Sequence, residues 1–554
     1  MNTATAMNTA TLRRRRLGLL VPLALGTVLA LTACATGTST SSGSGTKVTG
    51  GTIEYAHQQE PACVFGGWIE QDYLSQQVLD NLVALNSSHK VVPWLATKWE
   101  PSADGLTWTF TLKKDVKFTD GTPLDAAAVA YNFDYWLQGG NSTAQVWLAG
   151  YYKSAVAVSA DTLQINLLKP YPRLADTLTQ GYFGIQSETA LKTRTEEQNC
   201  DSPIGSGAFV VTKWTRGQDI LLTRNDDYTS PPANAKHTGA AYVKAVDWKF
   251  VPDSTTRAAA LKSGEADAIY DVPAVEWSTL KTAGFQLEKY VTAGRPQQLT
   301  FNTTRAPFND ENVRKAFAFS LDRKALVKTI GQGVIPYDGN GGVSQTTPGY
   351  SKAAADTYSY QPAKAKALLD AAGWKTDASG YRTKDGKTLE VILPYGAGSI
   401  INADGAAILQ GIQEQAKAVG FKVKLVPVPP ASFFAGAYGT AADKDLSVGY
   451  WTAVTSGILY INWRQSTDAD PNYNNDSFEN FPELEKLILD ANSETDVAKQ
   501  NALYEKAQVY IADHALSIGV YDRLSTLAVS PKLKDVWQET AQGGPVFYDA
   551  YFTK

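Results

Sequence analysis

The sequence contains few of the residues on which metal binding and nucleophilic catalysis depend. Its 554 residues include three cysteines and four histidines. The histidines are isolated and form neither an HxH nor an HExxH spacing, which zinc sites commonly use. They are His57, His89, His237 and His514. We therefore expect no metal site and no cofactor.

Motifs for phosphate binding and acyl transfer are also missing. The stretch GNGGVS (339–344) lacks the glycine spacing and the lysine of nucleotide loops. The nearest approach to a GxSxG elbow lies in the Gly/Ser-rich stretch after Cys34, where no strand-turn-helix unit can form. The pattern predicts a protein that is not an enzyme. A secreted hydrolase needs only two well-placed carboxylates, so that alternative stays open.

The charge balance excludes a nucleic-acid partner. The chain has 51 Lys and Arg residues against 55 Asp and Glu residues, a formal net charge of −4. Its clustered cations lie only at the extreme N-terminus, so the rest of the chain offers no basic surface of the kind that phosphate backbones need.

The N-terminus has the order of a signal peptide. Arg13 to Arg16 precede the apolar run LGLLVPLALGTVLALTAC (17–34), which is short for a transmembrane helix, the alternative reading. The last four residues, LTAC, resemble the bacterial lipobox. We predict a signal peptide over 1–33 and lipidation of Cys34, with export by the general or the twin-arginine route left open. The protein would then be held at the cell membrane, on the extracytoplasmic face, by its lipid.

Residues 34–50 predict a flexible tether behind the lipid. They are rich in Gly, Ser and Thr and have no apolar period. Two cysteines remain beyond them, Cys63 and Cys200. Outside the cytoplasm an even pair is more often bridged than free, so we predict a Cys63–Cys200 disulfide.

The body of the chain is predicted to have an α/β fold. Alternating residues in LTWTFTL (106–112) predict a half-buried strand, and Asp125 is placed to cap the helix that follows. Turns at 160–161 and 216–217 predict two hairpins. Helices and strands then alternate in the second half, where three glycines are expected at helix C-termini. These glycines are Gly331, Gly373 and Gly420.

A series of motifs resembles the family 5 extracellular solute-binding proteins, the peptide, nickel and dipeptide class that serves ABC importers. They cover nearly all of the chain after the tether and occur in the family's order. The motifs are PWLATKWEPSADGLTWTFTLKKDVKFTDGTPLDAAAVAYNFDYW (93–136), PIGSGAFVV (203–211), LLTRNDDY (221–228), LKSGEADAIYDVP (261–273), LTFNTTRAPFNDENVRKAFAFSLDRKALV (299–327) and YQPAKAKALLDAAGW (360–374). For most of their residues we favour structural roles: a close backbone approach at Gly205 and Gly207, a turn at 120–121, and interdomain or capping contacts from Arg314 and Arg323.

The resemblance implies a two-lobed α/β fold of the periplasmic-binding-protein kind, with crossing strands between the lobes and an extra subdomain inserted in the first. We expect the first lobe at 51–70, 200–296 and 523–554, the inserted subdomain at 71–199, and the second lobe at 297–522. Such proteins close on their ligand by a hinge motion.

The resemblance also implies the function. A monomeric lipoprotein would capture a small solute, possibly a peptide, between its lobes and present the closed form to the permease subunits of an ABC importer. The secreted hydrolase and a ligand-sensing receptor without transport are the alternatives.

By position in the family, the loop HQQEP (57–61) and the strand VGYWTAV (448–454) border the cleft. We predict Trp451, Tyr450, Gln59 and Glu60 as ligand-binding residues, although an aromatic residue in a strand can also belong to the core. Peptide-binding members usually carry an aspartate a few residues after that tryptophan, and here residues 452–457 include no carboxylate. The ligand therefore stays open among oligopeptides, modified peptides, sugars and chelates, with Glu60 as a substitute carboxylate.

Overall fold

The computed structural model describes residues 46–65, 69–138, 143–337, 339–398 and 400–554. The predicted signal peptide, Cys34 and the tether up to residue 45 lie outside these ranges. Within them, no helix is both long and apolar enough to cross a membrane.

A mixed sheet of seven strands forms one half of the molecule. Its middle strand, Thr52–His57, runs parallel to both neighbours, and the outer strands are antiparallel. The strands lie in the order Gln286–Val291, Leu524–Val529, Ala268–Tyr270, Thr52–His57, Ala245–Phe250, Asp219–Arg224, Phe209–Thr215. The last two are the hairpin predicted to turn at 216–217, and this prediction is confirmed.

A second sheet is centred on the strand Gly294–Phe301. This strand pairs in antiparallel fashion with Leu446–Thr452 on one side and Ser517–Tyr521 on the other. The parallel pair Glu390–Gly396 and Lys422–Val428 lies next to it, since the amide of Asp445 donates to the carbonyl of Ile392 at 3.0 Å.

The chain crosses between these two sheets twice. It leaves the seven-stranded sheet after Val291 and enters the second sheet at Gly294, and it returns through 522–523. The two crossings are tied together, because the amide of Thr292 donates to the carbonyl of Arg523 at 3.0 Å. A relative rotation of the two sheets would therefore bend the chain at these neighbouring segments.

A third sheet lies between residues 96 and 167 and is covered by the helix Ala126–Gln138. Asp125 caps this helix as predicted, since its carboxylate accepts from the amides of Ala127 and Ala128, each at 3.0 Å. Phe110 and Phe133 are fully buried between sheet and helix. The strands lie in the order Ala96–Pro101, Thr107–Leu112, Thr162–Leu167, Tyr152–Ser159. The predicted strand and the hairpin turning at 160–161 are both confirmed.

The remaining elements are helices and short strands, which form two three-stranded sheets and two pairs. The other helices are Ile69–Val78, Thr143–Leu148, Leu174–Thr177, Gly181–Phe183 (3₁₀), Glu188–Thr193, Glu196–Asp201, Ser254–Ser263, Ala274–Thr282, Glu311–Phe319, Arg323–Ile330, Lys352–Ala355, Pro362–Ala371, Ala403–Lys417, Pro430–Phe434, Ile458–Trp463, Pro482–Ser493 and Val497–Asp513. The short strands are Lys47–Val48, Val83–Leu85, Val91–Pro93, Lys375–Thr376, Arg382–Lys384, Lys387–Thr388, Leu533–Lys534, Trp537–Gln538, Pro545–Val546 and Tyr551–Thr553. Gly331 ends the helix Arg323–Ile330 as predicted. Gly373 and Gly420 follow their helices with φ of +84° and +108°, the left-handed conformation that glycine adopts without strain.

Two arginines of the motif at 299–327 cap carbonyl groups inside the fold. Arg314 donates to the carbonyls of Phe308 at 2.8 Å and Ala515 at 3.1 Å. Arg323 donates to the carbonyls of Tyr358 at 2.9 Å and Gly519 at 2.5 Å. Their predicted capping role is confirmed.

The N-terminal end of the described chain packs on the folded body. Lys47 and Val48 form a strand that pairs with Tyr551–Thr553. The Lys47 ammonium lies over the rings of Tyr242, at 3.7 Å, and Tyr551, at 4.1 Å. These contacts fix Lys47 and Val48, which fall within the predicted tether at 34–50, on the folded body; the tether itself stays a prediction. Further along, Cys63 and Cys200 form the predicted disulfide.

Candidate functional site

Two neighbouring cavities lie where the crossing segments bring the two sheets together. The first, of about 60 Å³, has walls from both sheets, and we call it the inter-sheet cavity. The second, of about 230 Å³, is walled by the second sheet and by segments near residues 433–438 and 473–476, and we call it the Trp451 cavity. Ile400 and Tyr450 line both, so the two cavities adjoin.

Arg523, in the returning crossing, joins aromatic residues from both sheets in the inter-sheet cavity. Its guanidinium donates to the hydroxyls of Tyr270 at 2.7 Å and Tyr73 at 3.2 Å. The same group lies over the ring of Tyr450, 4.4 Å from its centroid. Tyr270 belongs to the first sheet and Tyr450 to the second, so this cation links the two walls at the crossing segments.

His57 lies behind this cluster and is fully buried. Its ring stacks on Tyr270 at 4.8 Å, and its Nδ1 lies 3.0 Å from the Tyr55 hydroxyl. Burial, with smaller contributions from Arg257 and Arg523, holds the pKa of His57 well below its ordinary value. The imidazole is therefore neutral at neutral pH.

Two direct hydrogen bonds join residues on opposite walls of the inter-sheet cavity. The Asn402 side-chain amide donates to Asp271 Oδ1 at 2.8 Å, and the amide of Ala274 donates to Asp404 Oδ2 at 3.0 Å. Asn402 caps the helix Ala403–Lys417, and Ala274 begins the helix Ala274–Thr282, so two helix N-termini meet here. Burial raises the pKa of Asp404, against the hydrogen bond from Ala274, and the charge of Asp271 adds to the rise.

Trp451 stands opposite Arg295 in the Trp451 cavity. The two residues are cross-strand partners on neighbouring antiparallel strands. Trp451 is half-buried, and the aromatic side chains of Phe433, Tyr438 and Tyr473 also line the cavity. A flat or apolar part of a ligand could stack among these rings.

The charged residues of the Trp451 cavity are arranged around Asp476. Its Oδ1 accepts from Lys444 Nζ at 3.0 Å and from Ser447 Oγ at 2.9 Å. Its Oδ2 lies 3.9 Å from a guanidinium nitrogen of Arg295. Burial acts to raise the pKa of Asp476, but Lys444 and Arg295 outweigh it and hold the pKa below its ordinary value.

The predicted site residues fall in different places. Tyr450 and Trp451 line the cavities. Glu60 is engaged elsewhere, accepting from Trp214 Nε1 at 2.8 Å and from the amide of Gly217 at 3.1 Å. From the loop that carries Gln59 and Glu60, the residue that lines the inter-sheet cavity is Gln58.

Sequence reasoning missed the charged residues that line these cavities. They are Arg295, Asp271, Asp404, Lys444, Asp476 and Arg523. The glycine before Arg295 was a possible signal: Gly294 has a φ of +109° and approaches the backbone of the Trp451 strand too closely for a side chain. Without the strand register, however, nothing in the sequence connects Arg295 with Trp451.

The comparisons with known proteins agree with this architecture. The model of the bacterial extracellular solute-binding proteins, family 5, matches residues 90–473, and the chain belongs to this family. The nickel-binding periplasmic protein of Escherichia coli K12 is 27% identical over 478 residues, covering 84% of this chain and 87% of that protein. The glutathione-binding protein GsiB of Shigella flexneri serotype 5b is 26% identical over 486 residues, covering 84% of this chain and 88% of that protein.

A solved structure shows the same fold. The oligopeptide-binding protein AppA of Bacillus subtilis, in complex with a nonapeptide, superimposes with a TM-score of 0.79 at 23% identity, covering 92% of this chain and all of that one. The fold is therefore the two-lobed α/β fold of periplasmic binding proteins, as predicted. Members of the family bind solutes or peptides and work with ABC importer permeases; they are transport proteins and not enzymes. The hydrolase alternative is thereby excluded.

Proposed function

We propose that this protein captures a small solute or short peptide in the two adjoining cavities and delivers it to the permease of an ABC importer. The observation that carries the proposal is the pair of cavities at the double crossing, with walls from both sheets that meet at Tyr450. A solute held there would touch both halves of the protein. Only such a solute stabilises the closed form relative to the open one, and the closed form is what a permease can distinguish.

The lobes proposed from the sequence are 51–70, 200–296 and 523–554 for the first and 297–522 for the second, with 71–199 inserted. The seven-stranded sheet draws its strands from the first set, which supports this division, while the central strand of the second sheet begins at Gly294, before the proposed bound at 297. The hydrogen bonds from Asn402 to Asp271 and from Ala274 to Asp404 then join the two lobes. These hydrogen bonds would stabilise the closed form and would be lost when the cleft opens.

Within the cleft, we propose Trp451 and Tyr450 as ligand contacts. Gln59 and Glu60 remain weaker proposals, since Glu60 already accepts two hydrogen bonds from the hairpin at 214–217. The relatives named above bind nickel, glutathione and an oligopeptide, so membership of the family leaves the ligand class open.

A thermal-shift screen tests the proposal. Mixtures of short peptides, oligosaccharides and metal chelates are added to the purified protein, and its unfolding temperature is measured. At a hundred times its dissociation constant, a ligand of the folded form stabilises it by about 2.7 kcal/mol, so at least one class should raise the unfolding temperature. No shift with any class, in protein first freed of bound solute by unfolding and refolding, would contradict the proposal. A receptor that signals without transport would also bind, and it is distinguished by normal solute uptake in a strain that lacks this protein.

We further propose that a lipid on Cys34 holds the protein at the extracytoplasmic face of the cell membrane. Anchoring raises the effective concentration of the receptor near its permease without a specific contact. Cells fed radiolabelled palmitate should label the parent protein, whereas Cys34→Ala should lose the label. A labelled Cys34→Ala protein would contradict lipidation at this residue.

A further inference from the structure

The walls of the Trp451 cavity carry an excess of positive charge. Arg295, Lys444 and Asp476 are its charged lining residues, two cations and one carboxylate. The carboxylate is committed to Lys444, at 3.0 Å, and to Ser447, at 2.9 Å. Its distance of 3.9 Å from Arg295 is beyond hydrogen-bonding range. Arg295 is therefore the cation that this carboxylate does not neutralise at close range.

The Arg295 guanidinium is buried but not saturated with acceptors. Its side chain is only 11% exposed, and among the described residues its Nε has no hydrogen-bond partner. One of its terminal nitrogens lies 3.2 Å from the side-chain oxygen of Asn462, when that amide is oriented so that its nitrogen donates to the carbonyl of Ile458. A guanidinium has five N–H donors in a planar fork, so several donors remain for another acceptor.

Gly449 keeps one edge of this guanidinium open. A Cβ atom at position 449 would lie 3.4 Å from the other terminal nitrogen of Arg295, and both residues line the cavity. Arg295 is also the cross-strand partner of Trp451. An acceptor bound at the guanidinium would thus lie beside the indole ring, within the cavity of about 230 Å³.

The electrostatic consequence is a site that lacks one negative charge. Burial lowers the pKa of Arg295, against the charge of Asp476, but a guanidinium stays protonated in proteins. A buried cation is costly when its ion-pair partner lies 3.9 Å away and is shared with Lys444, and a carboxylate arriving from solution can take two parallel N–H bonds from the fork. The neutral groups of the cavity wall offer no such compensation.

We propose that Arg295 selects solutes that carry a carboxylate, which it binds next to Trp451. The proposal rests on the proposed function and adds to it the chemical class of the ligand. The carboxylate could belong to a peptide C-terminus, an acidic side chain or a sugar acid, since the guanidinium recognises the group that these share. The sequence left the class open because residues 452–457 include no carboxylate for a ligand's ammonium group; the structure has a cation in the same cavity instead.

A retention experiment with matched mixtures tests this inference. A pancreatic digest of casein, supplemented with gluconate and glucuronate, is divided in two, and one half is methyl-esterified so that its carboxylates become neutral. The full protein is unfolded and refolded to free it of solute, incubated with either half, separated by rapid gel filtration, and its retained solutes are identified by mass spectrometry. The masses distinguish peptide termini, acidic side chains and sugar acids.

We expect the parent protein to retain acids at least about tenfold more than their esters, since a hydrogen bond to a charged group contributes about 1.5–3 kcal/mol and 1.4 kcal/mol is a factor of ten. In Arg295→Met the ratio of retained acids to retained esters should fall to near one. Arg295→Lys should restore part of the preference for acids. Arg224→Met is the matched control, because Arg224 already pairs with Asp226 at 2.6 Å and does not line either cavity. A merely structural role for Arg295 would lower the retention of acids and esters alike.

Two outcomes would overturn the inference, and they differ. If the parent retains esters as well as acids, the carboxylate preference is wrong while solute binding stands. If the parent retains nothing from either half, the proposed function fails together with the inference. Arg295→Met should fold, because the change removes a buried charge, and its circular dichroism spectrum and unfolding midpoint check this.

Discussion

Gly205→Ala is expected to destabilise the protein by more than about 3 kcal/mol, the upper range for overpacking a core. A Cβ atom at position 205 would lie 2.0 Å from the carbonyl oxygen of Val78 and 2.6 Å from Leu79 Cδ2. A Cβ atom at the neighbouring Gly207 would lie 2.4 Å from the carbonyl carbon of Val78, and the amide of Gly207 donates to the same carbonyl at 3.1 Å. The opposing atoms belong largely to the backbone at the end of the helix Ile69–Val78, so no side-chain rotation can relieve the contact.

Gly121→Ala is the control for this change. Gly121 has a φ of +83°, and no atom lies within 4 Å of the position that its Cβ would take. The left-handed conformation alone should cost about 1–2 kcal/mol. Urea unfolding followed by circular dichroism measures both variants. Equal losses at the two positions would contradict a steric role for Gly205.

Trp451→Ala is expected to weaken binding of a solute found by the thermal-shift screen by about 30- to 150-fold, which corresponds to about 2–3 kcal/mol for a central aromatic contact. The indole lines the larger cavity, and part of it also packs against neighbouring apolar residues. Trp451→Phe keeps a ring for stacking and should lose less affinity. Isothermal titration calorimetry gives the dissociation constants.

A tryptophan outside the cleft separates binding from folding. Trp99 is half-buried in the strand Ala96–Pro101 and does not line either cavity. Trp99→Ala should lower the unfolding midpoint and leave the dissociation constant of the solute unchanged. The assignment of Trp451 fails if the solute binds Trp451→Ala as tightly as it binds the parent.

The sequence predicted local structure well because the responsible interactions are local. The helix cap at Asp125 and the hairpins at 160–161 and 216–217 depend on residues within a few positions of one another. The family resemblance supplied the two-lobed fold, and composition and periodicity alone would have reached only the α/β class.

The electrostatics of the candidate site could not be predicted in the same way. Arg295 and Asp476 approach each other only because strand register and a distant loop bring them to one cavity. Glu60 was a reasonable candidate as an acidic loop residue near the cleft, yet Trp214 and Gly217 engage it, and these lie far along the chain. The contacts of Lys47 could not be predicted for a similar reason, since its aromatic partners, Tyr242 and Tyr551, lie far along the chain.

Small-angle X-ray scattering of the refolded protein, with and without a solute from the screen, tests most directly whether it is a receptor that closes on its ligand. We expect the radius of gyration to fall on addition of the solute and to saturate at one solute per chain. In Trp451→Ala, at the same solute concentration, the change should be much smaller. A radius of gyration that stays constant while calorimetry shows the solute bound would contradict closure between two lobes.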